Sequence, residues 1–558
     1  MSAVVEERAP AVAPMPAAPE PAPPPRPDLR RRTAALILLG TLAAAGALRL
    51  IGLGALGLNS DEAVYAGQSA ALAGNPYYEA FPVFRAHPML VQSLLSLVYG
   101  RGEHDVAGRV VVALIGVATI VPVYLLGVEL YDRRVGLTAA LLIAVMPYHV
   151  VVTRQVLLDG PMVFFAAVTL LCVAKFARTQ RLLWFVAAGG ALGLSMLAKE
   201  TSIVLTSAVY AFLALTPSVR RPLLGSAAAL AVTAAVFLVH PVSMALAGNT
   251  STGKSYLVWQ LLRRPNHEWT FYPTTVPWAI GPLVLLVAVG GLWWARDRTG
   301  WREVLLICWT LAPVLAFQLW PVKGFQYLLP VVPAVAVLAA RGAWTFGAPA
   351  STVRAPALRS ARAGRVRWPI RATTGSPERR LTAGRRRWGA AQALPAAVCA
   401  LVVLSLLPVT VQRAFRTNAT EVLAGTGGVP GGREAGRWMR THTPSGATVL
   451  TLGPSMANII QYYGHRPSYG LSVSPNPLHR NPSYSPVLNP DRQMRMGDLQ
   501  YVVWDAFSAV RSPHFSETLL MLTRRYHGRA LHTEYVTRTG AGGRDERVPV
   551  VVVYQVRP

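Results

Sequence analysis

The side chains that could do chemistry are ionisable residues in short polar motifs between long apolar runs. Carboxylates and cations occur together in these motifs, at Asp61 and Glu62, His87, Arg109, Arg154 and Asp159, Lys199 and Glu200, His267 and Glu268, and Lys323 with Tyr327. Ionisable groups near a membrane are costly, so each is a candidate functional residue. A carboxylate can take a proton from a hydroxyl, and cations can hold a departing phosphate. The set therefore predicts group transfer from a phosphate-bearing donor.

Several of these residues also have a purely structural explanation. Asp61 and Glu62 in the motif LNSDEAVY could be a polar cap at a loop, and His87 could simply begin a helix. Arg109 and Arg154 could extend to lipid head groups, as long basic side chains near helix ends commonly do. The surrounding set favours function for the Asp–Glu pair, whereas both explanations stay open for the other residues.

His267 and Glu268 are weak candidates for binding a metal ion. They are neighbouring residues of types that bind divalent ions. Two adjacent residues that can bind a metal do not make a metal site, because metal ions in proteins usually have more than two ligands. His267 could equally lie in a solvated loop. The sequence therefore leaves the cofactor unknown: a divalent metal fits, but nothing requires one.

The motifs lie between apolar stretches that are long enough to cross a membrane. Hydrophobic residues make up 52% of the 558 residues, and charged residues only 14%. A membrane-crossing helix needs about 20 mostly apolar residues. We predict eleven spans, at Thr33–Leu53, Val106–Tyr131, Val135–Val152, Pro161–Ala177, Leu182–Leu197, Ile203–Leu215, Leu223–His240, Val276–Ala295, Glu303–Trp320, Tyr327–Phe346 and Ala391–Val411.

The distribution of basic residues orients these spans. Lys and Arg accumulate in alternate loops, as they do in loops on the cytoplasmic side. The same side receives the segment 347–390, which carries eleven arginines against one acidic residue, Glu378. We therefore predict a cytoplasmic N-terminus, with a disordered tail over residues 1–32, and a basic cytoplasmic loop at 347–390. That loop could also bind anionic lipid head groups.

This orientation places the chemical motifs on the outer side of the membrane. The apolar stretch His87–Tyr99 is too short for a span, so it belongs to a large outer loop at 55–105. A second large outer loop covers 241–275. The membrane domain at 33–346 is followed, after the last helix at 391–411, by an outer domain at 412–558. Helix and strand signals alternate in that last part, which predicts a small α/β domain outside the membrane.

The net charge of +28 does not indicate nucleic acid. A nucleic-acid binder needs its basic residues on one solvated face, with groups that read or stack bases. Here the arginines lie between apolar runs, where they act as topology signals. We therefore expect no nucleic-acid partner.

The three cysteines each lie within an apolar run, without metal-ligand spacing or a disulfide pattern.

The motifs also carry a resemblance to a known group of enzymes. From about Ala34 to Ala340 the chain resembles the protein mannosyltransferase and aminoarabinose transferase superfamily, membrane glycosyltransferases with the C-type (GT-C) fold. The shared features are the Asp–Glu pair after the first span, a His–Pro helix start, an Arg beginning the second span, "Arg, four residues, Asp" after the third, and Lys-Gly-x-x-Tyr-Leu-Leu-Pro. Each feature alone is weak, but their order on one predicted side is specific.

The resemblance implies an inverting glycosyltransferase. In it, Asp61 deprotonates an acceptor hydroxyl, Glu62 orients or supports Asp61, and Asp159 is a second acidic residue of the cavity. Candidates for binding the lipid phosphate or substrate are His87, Arg109, Arg154, Lys199, Lys323 and Tyr327. The implied partners are a polyprenyl-phosphate sugar donor and membrane lipids. The acceptor, whether protein, lipid or glycan, stays open.

The chain departs from that pattern at Ala86-His87-Pro88, where aminoarabinose transferases carry Glu-Lys-Pro. Histidine is a weaker fixed cation than lysine, and Ala86 removes a metal-ligand candidate. This puts the metal and the aminoarabinose substrate in doubt. The alternative function is that of a multi-span transporter or an envelope-assembly protein without transferase activity. Transporters usually have interrupted helices and mid-membrane charges, whereas these charges lie at outer helix ends in the cytoplasmic membrane.

A reporter tag inserted into residues 347–390 should lie in the cytoplasm, because so many arginines are retained on that side. Protease treatment of intact cells checks this: the tag should stay uncut, while a tag in the outer loop 241–275 should be removed. Cleavage of the first tag from outside would overturn the orientation.

Overall fold

The computed structural model describes residues 29–78, 87–100, 104–219, 223–345, 390–415, 428–539 and 545–558. Most of the predicted N-terminal tail and nearly all of the predicted basic loop 347–390 lie outside these residues. The predicted orientation of the chain in the membrane therefore remains a prediction.

The N-terminal two thirds of the described chain is helical. Its α-helices, α1 to α17 in chain order, are Arg31–Leu50, Ser60–Leu72, Leu90–Tyr99, Asp105–Ala118, Ile120–Leu130, Arg133–Val145, Pro147–Thr153, Asp159–Thr179, Leu182–Ala198, Val204–Leu215, Leu223–Leu246, Thr250–Leu262, Phe271–Ile280, Pro282–Trp294, Trp301–Leu319, Val332–Thr345 and Ala390–Ala414. Short 3-10 helices lie at Pro76–Tyr78, Glu200–Ile203, Arg296–Arg298 and Phe325–Val331. The predicted short apolar stretch after His87 forms α3.

These helices make the protein a multi-pass membrane protein. Among the described residues, seven helical segments are long and apolar enough to cross a membrane, or nine if two bent pairs each count as one span. The other two predicted spans correspond to shorter apolar helices, α9 and Glu200–Leu215. The apolar window containing α16 is 89% buried, whereas that of α11 is only 17% buried. Helix α16 therefore lies at the centre of the bundle, and α11 presents an apolar face to lipid.

Two predicted spans are broken rather than straight: Val135–Val152 bends by 57° between α6 and α7, and the second bend is sharper. The stretch Val276–Ala295 forms the end of α13 and all of α14, which meet at 92°. Gly281 lies at the break with φ +106°, a conformation that side-chain-bearing residues rarely adopt. Pro282 follows at the first position of α14, where a missing N–H costs nothing. The chain therefore changes direction sharply between α13 and α14.

The C-terminal part is an α/β domain, as predicted. Its helices, α18 to α22, are Gly432–His442, Pro454–Gly464, Pro490–Arg495, Ala506–Arg511 and Pro513–Arg525, with a 3-10 turn at Pro477–His479. Its strands, β1 to β5, are Val449–Thr451, Ser468–Gly470, Tyr501–Asp505, Arg529–Thr539 and Asp545–Gln555. They form one sheet in the order β2-β1-β3-β5-β4. Strand β1 is parallel to β2 and β3, and β5 is antiparallel to β3 and β4.

The α/β domain is held against the loop that follows α1. The Tyr463 hydroxyl accepts a hydrogen bond from the Leu58 amide at 2.8 Å. Arg433 donates to the Gly54 carbonyl at 2.8 Å and lies 3.6 Å from the Asp105 carboxylate. These contacts hold the α/β domain against the end of the helix bundle at which α1 ends and α4 begins.

Replacing Gly342 with alanine should destabilise the helix bundle. An added Cβ would collide with the Val287 carbonyl oxygen and lie 3.2 Å from the Gly291 Cα, so α14 and α16 would have to separate. Overpacking of this kind costs about 1–3 kcal/mol. The thermal unfolding midpoint in detergent should fall for Gly342→Ala. The control Gly40→Ala, with no atom within 4 Å of the added Cβ, should not lower it.

Candidate functional site

A cavity of about 450 Å³ lies between the α/β domain and the ends of the membrane helices that face it. Its walls come from the start of α2, from α12 and the loop after it, from the segment between α15 and α16, and from loops of the α/β domain. Six predicted residues line it, namely Asp61, His87, Lys199, His267, Lys323 and Tyr327. Glu62, Arg109, Arg154, Asp159 and Glu268 are not among its lining residues.

Asp61 is fixed in the first turn of α2. The Asn59 side chain accepts a hydrogen bond from the Glu62 amide, and the Glu62 carboxylate accepts one from the Asn59 amide, which defines the start of the helix. The positive end of a helix dipole stabilises a carboxylate at this position. Asp61 has no hydrogen-bond or ion-pair partner among the described residues, so its oxygens are open to the cavity.

Glu62 and Arg109 form a fully buried pair beside Asp61. Arg109 donates to the two Glu62 carboxylate oxygens at 2.7 and 2.6 Å. The Glu62 carboxylate also accepts from the Val156 amide at 2.9 Å. The remaining Arg109 donors go to the carbonyls of Leu53, Leu56 and Gly57. Glu62 and Arg109 are thus paired behind Asp61, and neither residue lines the cavity.

Arg154 likewise lies outside the cavity, against α1. It donates to the Leu48 carbonyl at 2.7 Å and to the Ile51 carbonyl at 2.9 Å. These carbonyls lie at the end of α1, where the helix leaves its last acceptors unpaired and favours a cation. In this position Arg154 caps the end of α1, and it does not line the cavity.

Asp159 and Lys199 form a second buried pair, and this one borders the cavity. The Lys199 ammonium donates to both Asp159 oxygens, at 2.9 and 2.8 Å. Asp159 is 1% exposed and lies behind Lys199, which lines the cavity. The ammonium also lies 5.0 Å from the centre of the Tyr327 ring. Asp159 thus holds Lys199 in place and does not itself reach the cavity.

His87 reaches the cavity through a third pair. Its Nδ1 lies 3.0 and 2.9 Å from the two Glu200 oxygens. The rings of Tyr65 and Tyr256 pack against the imidazole ring in T-shaped contacts, with centroid distances of 5.8 and 5.7 Å. Glu200 is the acidic neighbour of Lys199 in the sequence motif. Its contact makes it the residue that orients His87.

Lys323 also lines the cavity, and backbone carbonyls rather than a carboxylate hold its ammonium group. Its ammonium donates to Gln318 O at 2.8 Å and Trp320 O at 3.2 Å. The Asn266 side chain bonds both the amide and the carbonyl of Lys323, at 2.8 Å each. The positive charge of Lys323 is therefore positioned without being neutralised by an ion pair among the described residues.

His267 also lines the cavity, stacked on Phe271 with ring centroids 4.1 Å apart. Burial, with the charges of Arg511 and Lys323, lowers the pKa of His267, which keeps the ring neutral at neutral pH. Among the described residues no group of three or more His, Cys, Asp and Glu side chains could hold a metal ion. His267 and Glu268 therefore have no further ligands in this part of the chain.

Three arginines that line the cavity were not predicted from the sequence. They are Arg263, Arg480 and Arg511, and the last two belong to the α/β domain. The Arg263 guanidinium lies 4.6 Å from the centre of the Trp259 ring. A signal existed for Arg263, because it lies in a predicted outer loop, where basic residues are less common. Arg480 and Arg511 come to the cavity only through the fold.

Comparison with known proteins supports the predicted resemblance. Residues 86–244 match the family described as dolichyl-phosphate-mannose-protein mannosyltransferase. A search of curated protein sequences finds no match.

Solved structures cover nearly the whole chain. ArnT from Cupriavidus metallidurans in the apo state is 14% identical, with 93% of this chain and 98% of ArnT aligned and a TM-score of 0.62. ArnT bound to undecaprenyl phosphate is 13% identical, covering 94% and 98%, with a TM-score of 0.59. The apo oligosaccharyltransferase of Archaeoglobus fulgidus is 14% identical, covering 93% and 74%, with a TM-score of 0.53. The chain thus has the GT-C fold with a C-terminal α/β domain, as predicted.

Replacing Arg109 with methionine should strongly destabilise the protein, because it leaves the Glu62 carboxylate buried without its cation. Breaking a buried pair in this way costs about 3–5 kcal/mol. The thermal midpoint in detergent should fall clearly. Arg178→Met removes an ion pair to Glu129 in which the arginine is 55% exposed, and it should change the midpoint little. Equal midpoints for the two variants would contradict the role of Arg109.

Proposed function

We propose that the protein is an inverting glycosyltransferase that moves a sugar from a polyprenyl-phosphate donor to an acceptor hydroxyl on the outer face of the cytoplasmic membrane. One observation carries the proposal: the cavity contains a carboxylate without a partner among the described residues, Asp61, together with cations from separate elements of the fold. The match to the mannosyltransferase family and the fold shared with ArnT, whose structure has been solved with undecaprenyl phosphate, support it.

The reaction needs a base on one side of the anomeric carbon and positive charge on the other. Asp61 takes the proton of the acceptor hydroxyl while its oxygen attacks the anomeric carbon. The bond from that carbon to the phosphate oxygen breaks, and the phosphate leaves with the electron pair. Direct displacement places the acceptor opposite the leaving group, so the configuration inverts.

The departing lipid phosphate gains negative charge that the cavity must stabilise. We assign this to Lys323 and Arg263, which line the cavity and have no ion-pair partner among the described residues. Lys199 lines the cavity too, but Asp159 offsets its charge. Lys199 therefore acts as a hydrogen-bond donor of fixed position rather than as a full extra charge. Tyr327, beside Lys199, completes this wall.

The buried groups around Asp61 position the reacting residues. The Glu62–Arg109 pair holds the first turn of α2, and Glu200 holds His87. Neither Glu62 nor Glu200 lines the cavity, so we assign them positioning roles. His87 faces the cavity with its orientation fixed, where it can donate a hydrogen bond to the donor phosphate or to the sugar.

Asp61→Asn should abolish transfer without affecting folding, because an amide keeps the shape of the side chain but cannot take the proton. Loss of a general base lowers kcat by about 10²- to 10⁴-fold. The assay offers the purified protein radiolabelled polyprenyl-phosphate sugars one at a time, with an envelope extract as acceptor. Asp498→Asn, on the surface of the α/β domain, is the matched control and should retain full activity.

The outcomes separate the competing functions. Label transferred by the wild type and by Asp498→Asn, but not by Asp61→Asn, supports the enzyme and identifies the sugar and the acceptor class. Unchanged turnover in Asp61→Asn would remove the proposed base. If the folded wild type consumes none of the donors, a transporter or envelope-assembly role becomes the better explanation.

A further inference from the structure

A second cavity, of about 310 Å³, lies in the α/β domain beside the first. It is formed by α19, by β2 with the residues next to it, and by the segment 483–485. Its volume lies at the lower end of the range of about 300–1,000 Å³ typical of small-molecule sites. Pro454, Val473 and Tyr484 line both cavities, so the two share a wall.

The chemistry of this second cavity differs from that of the first. Among the described residues, no Asp, Glu, Lys, Arg or His lines it, whereas several line the first cavity. Instead it presents neutral donors and acceptors with aromatic rings, from Asn458, Gln461, Ser468, Tyr469, Ser483 and Tyr484. Such a surface selects against ions, because a charged ligand would lose its hydration without gaining a counter-charge. It suits an uncharged ligand with many hydroxyl groups.

Two of the lining residues point to a ligand more directly. The Ser483 Oγ is buried and has no hydrogen-bond partner among the described residues. A buried hydroxyl normally has a partner, so a group that is left without one is a candidate for binding a ligand. Tyr469 is 38% exposed although it belongs to the sheet, on β2. An exposed tyrosine ring offers an apolar face together with a polar hydroxyl, which matches the two kinds of surface on a sugar ring.

The shared wall connects the second cavity to the proposed base. The Asn458 amide group donates to the Tyr484 hydroxyl at 3.1 Å and to the Ser60 hydroxyl at 3.0 Å. Ser60 directly precedes Asp61 in the first turn of α2. Asn458 is 2% exposed, so this bridge is a fixed part of the structure. The two cavities are therefore adjacent at Tyr484, and the second one is linked by Asn458 to the helical turn that carries Asp61.

We propose that the second cavity is a subsite for a neutral saccharide of the acceptor, so that the acceptor of this enzyme is a glycan. This inference rests on the proposed transferase function. One sugar unit occupies the subsite, with its hydroxyls bonded to Ser483 and Gln461 and its ring against Tyr469. The next unit passes Tyr484 and presents its hydroxyl to Asp61. The α/β domain thus supplies the acceptor specificity, and the membrane domain supplies the charged groups that act on the donor.

The test measures saccharide binding separately from transfer. The full-length protein in detergent, without donor, is titrated with short neutral oligosaccharides of mannose, glucose or arabinose, and binding is followed by saturation-transfer NMR. At least one series should bind saturably. Ser483→Ala should weaken that binding by about three- to tenfold, the usual effect of one lost hydrogen bond. Tyr469→Ala should weaken it as well.

The stability of the same variants distinguishes binding from a structural role. Because the Ser483 hydroxyl has no partner in the described residues, its removal should leave the thermal midpoint unchanged. Tyr535→Ala is the control for Tyr469→Ala, since Tyr535 is also exposed, at 46%, but lines neither cavity. It should not change binding. In the transfer assay, Ser483→Ala should raise the KM for the acceptor and leave kcat and the KM for the donor unchanged.

Failure of the subsite and failure of the transferase proposal give different results. If no oligosaccharide binds the folded wild type, or if Ser483→Ala and Tyr469→Ala bind as well as the wild type, the glycan subsite is overturned. Asp61→Asn should still bind the oligosaccharide saturably while losing transfer, because the subsite contacts with Ser483 and Tyr469 remain. Should Asp61→Asn keep transfer, the proposed base is wrong, whatever the binding titration shows.

Discussion

The buried ion pair between Glu62 and Arg109 is the constraint on which the rest of the site depends. A carboxylate that is fully enclosed at the edge of a membrane would be very unfavourable without a cation and hydrogen-bond donors. Arg109 and two backbone amides supply them. Because Arg109 also binds three carbonyls of the preceding loop, one guanidinium joins α4, that loop and α2. The direction in which Asp61 points follows from this junction.

The same loop is held from its other side by the α/β domain. Tyr463 bonds the Leu58 amide and Arg433 bonds the Gly54 carbonyl, so the segment between α1 and α2 lies between two folded parts. A cavity between two domains usually changes when the domains move. Here the wall that carries Asp61 belongs to a segment anchored to both, which keeps the carboxylate and the loops above it in one geometry.

The sequence predicts some of these features better than others. Spans are predictable because crossing a membrane requires a long apolar stretch, but the break at Gly281 depends on one backbone conformation. Strand β2 has three residues, too few for a pattern, and irregular pairing with β5 interrupts the alternation in β4. Asp61 could be predicted from its motif. The sequence also identifies Arg109 as a candidate cation. It does not show whether the Arg109 donors face a cavity or a buried carboxylate, because that depends on packing between distant segments.

The distribution of charge between the two cavities suggests how such an enzyme could change its acceptor. The acidic groups near the first cavity are arranged in pairs, Asp159 with Lys199 and Glu200 with His87, which leaves Asp61 as the carboxylate open to substrate among the described residues. These pairs lie within the membrane part. The second cavity lies in the α/β domain and is joined to α2 through Asn458, and none of its described lining residues is charged. If the second cavity binds the proposed saccharide, substitutions there can alter which saccharide fits without disturbing any ion pair around Asp61. In the proposed function, the site for bond formation thus lies apart from the site for saccharide recognition, although both are carried by one fold.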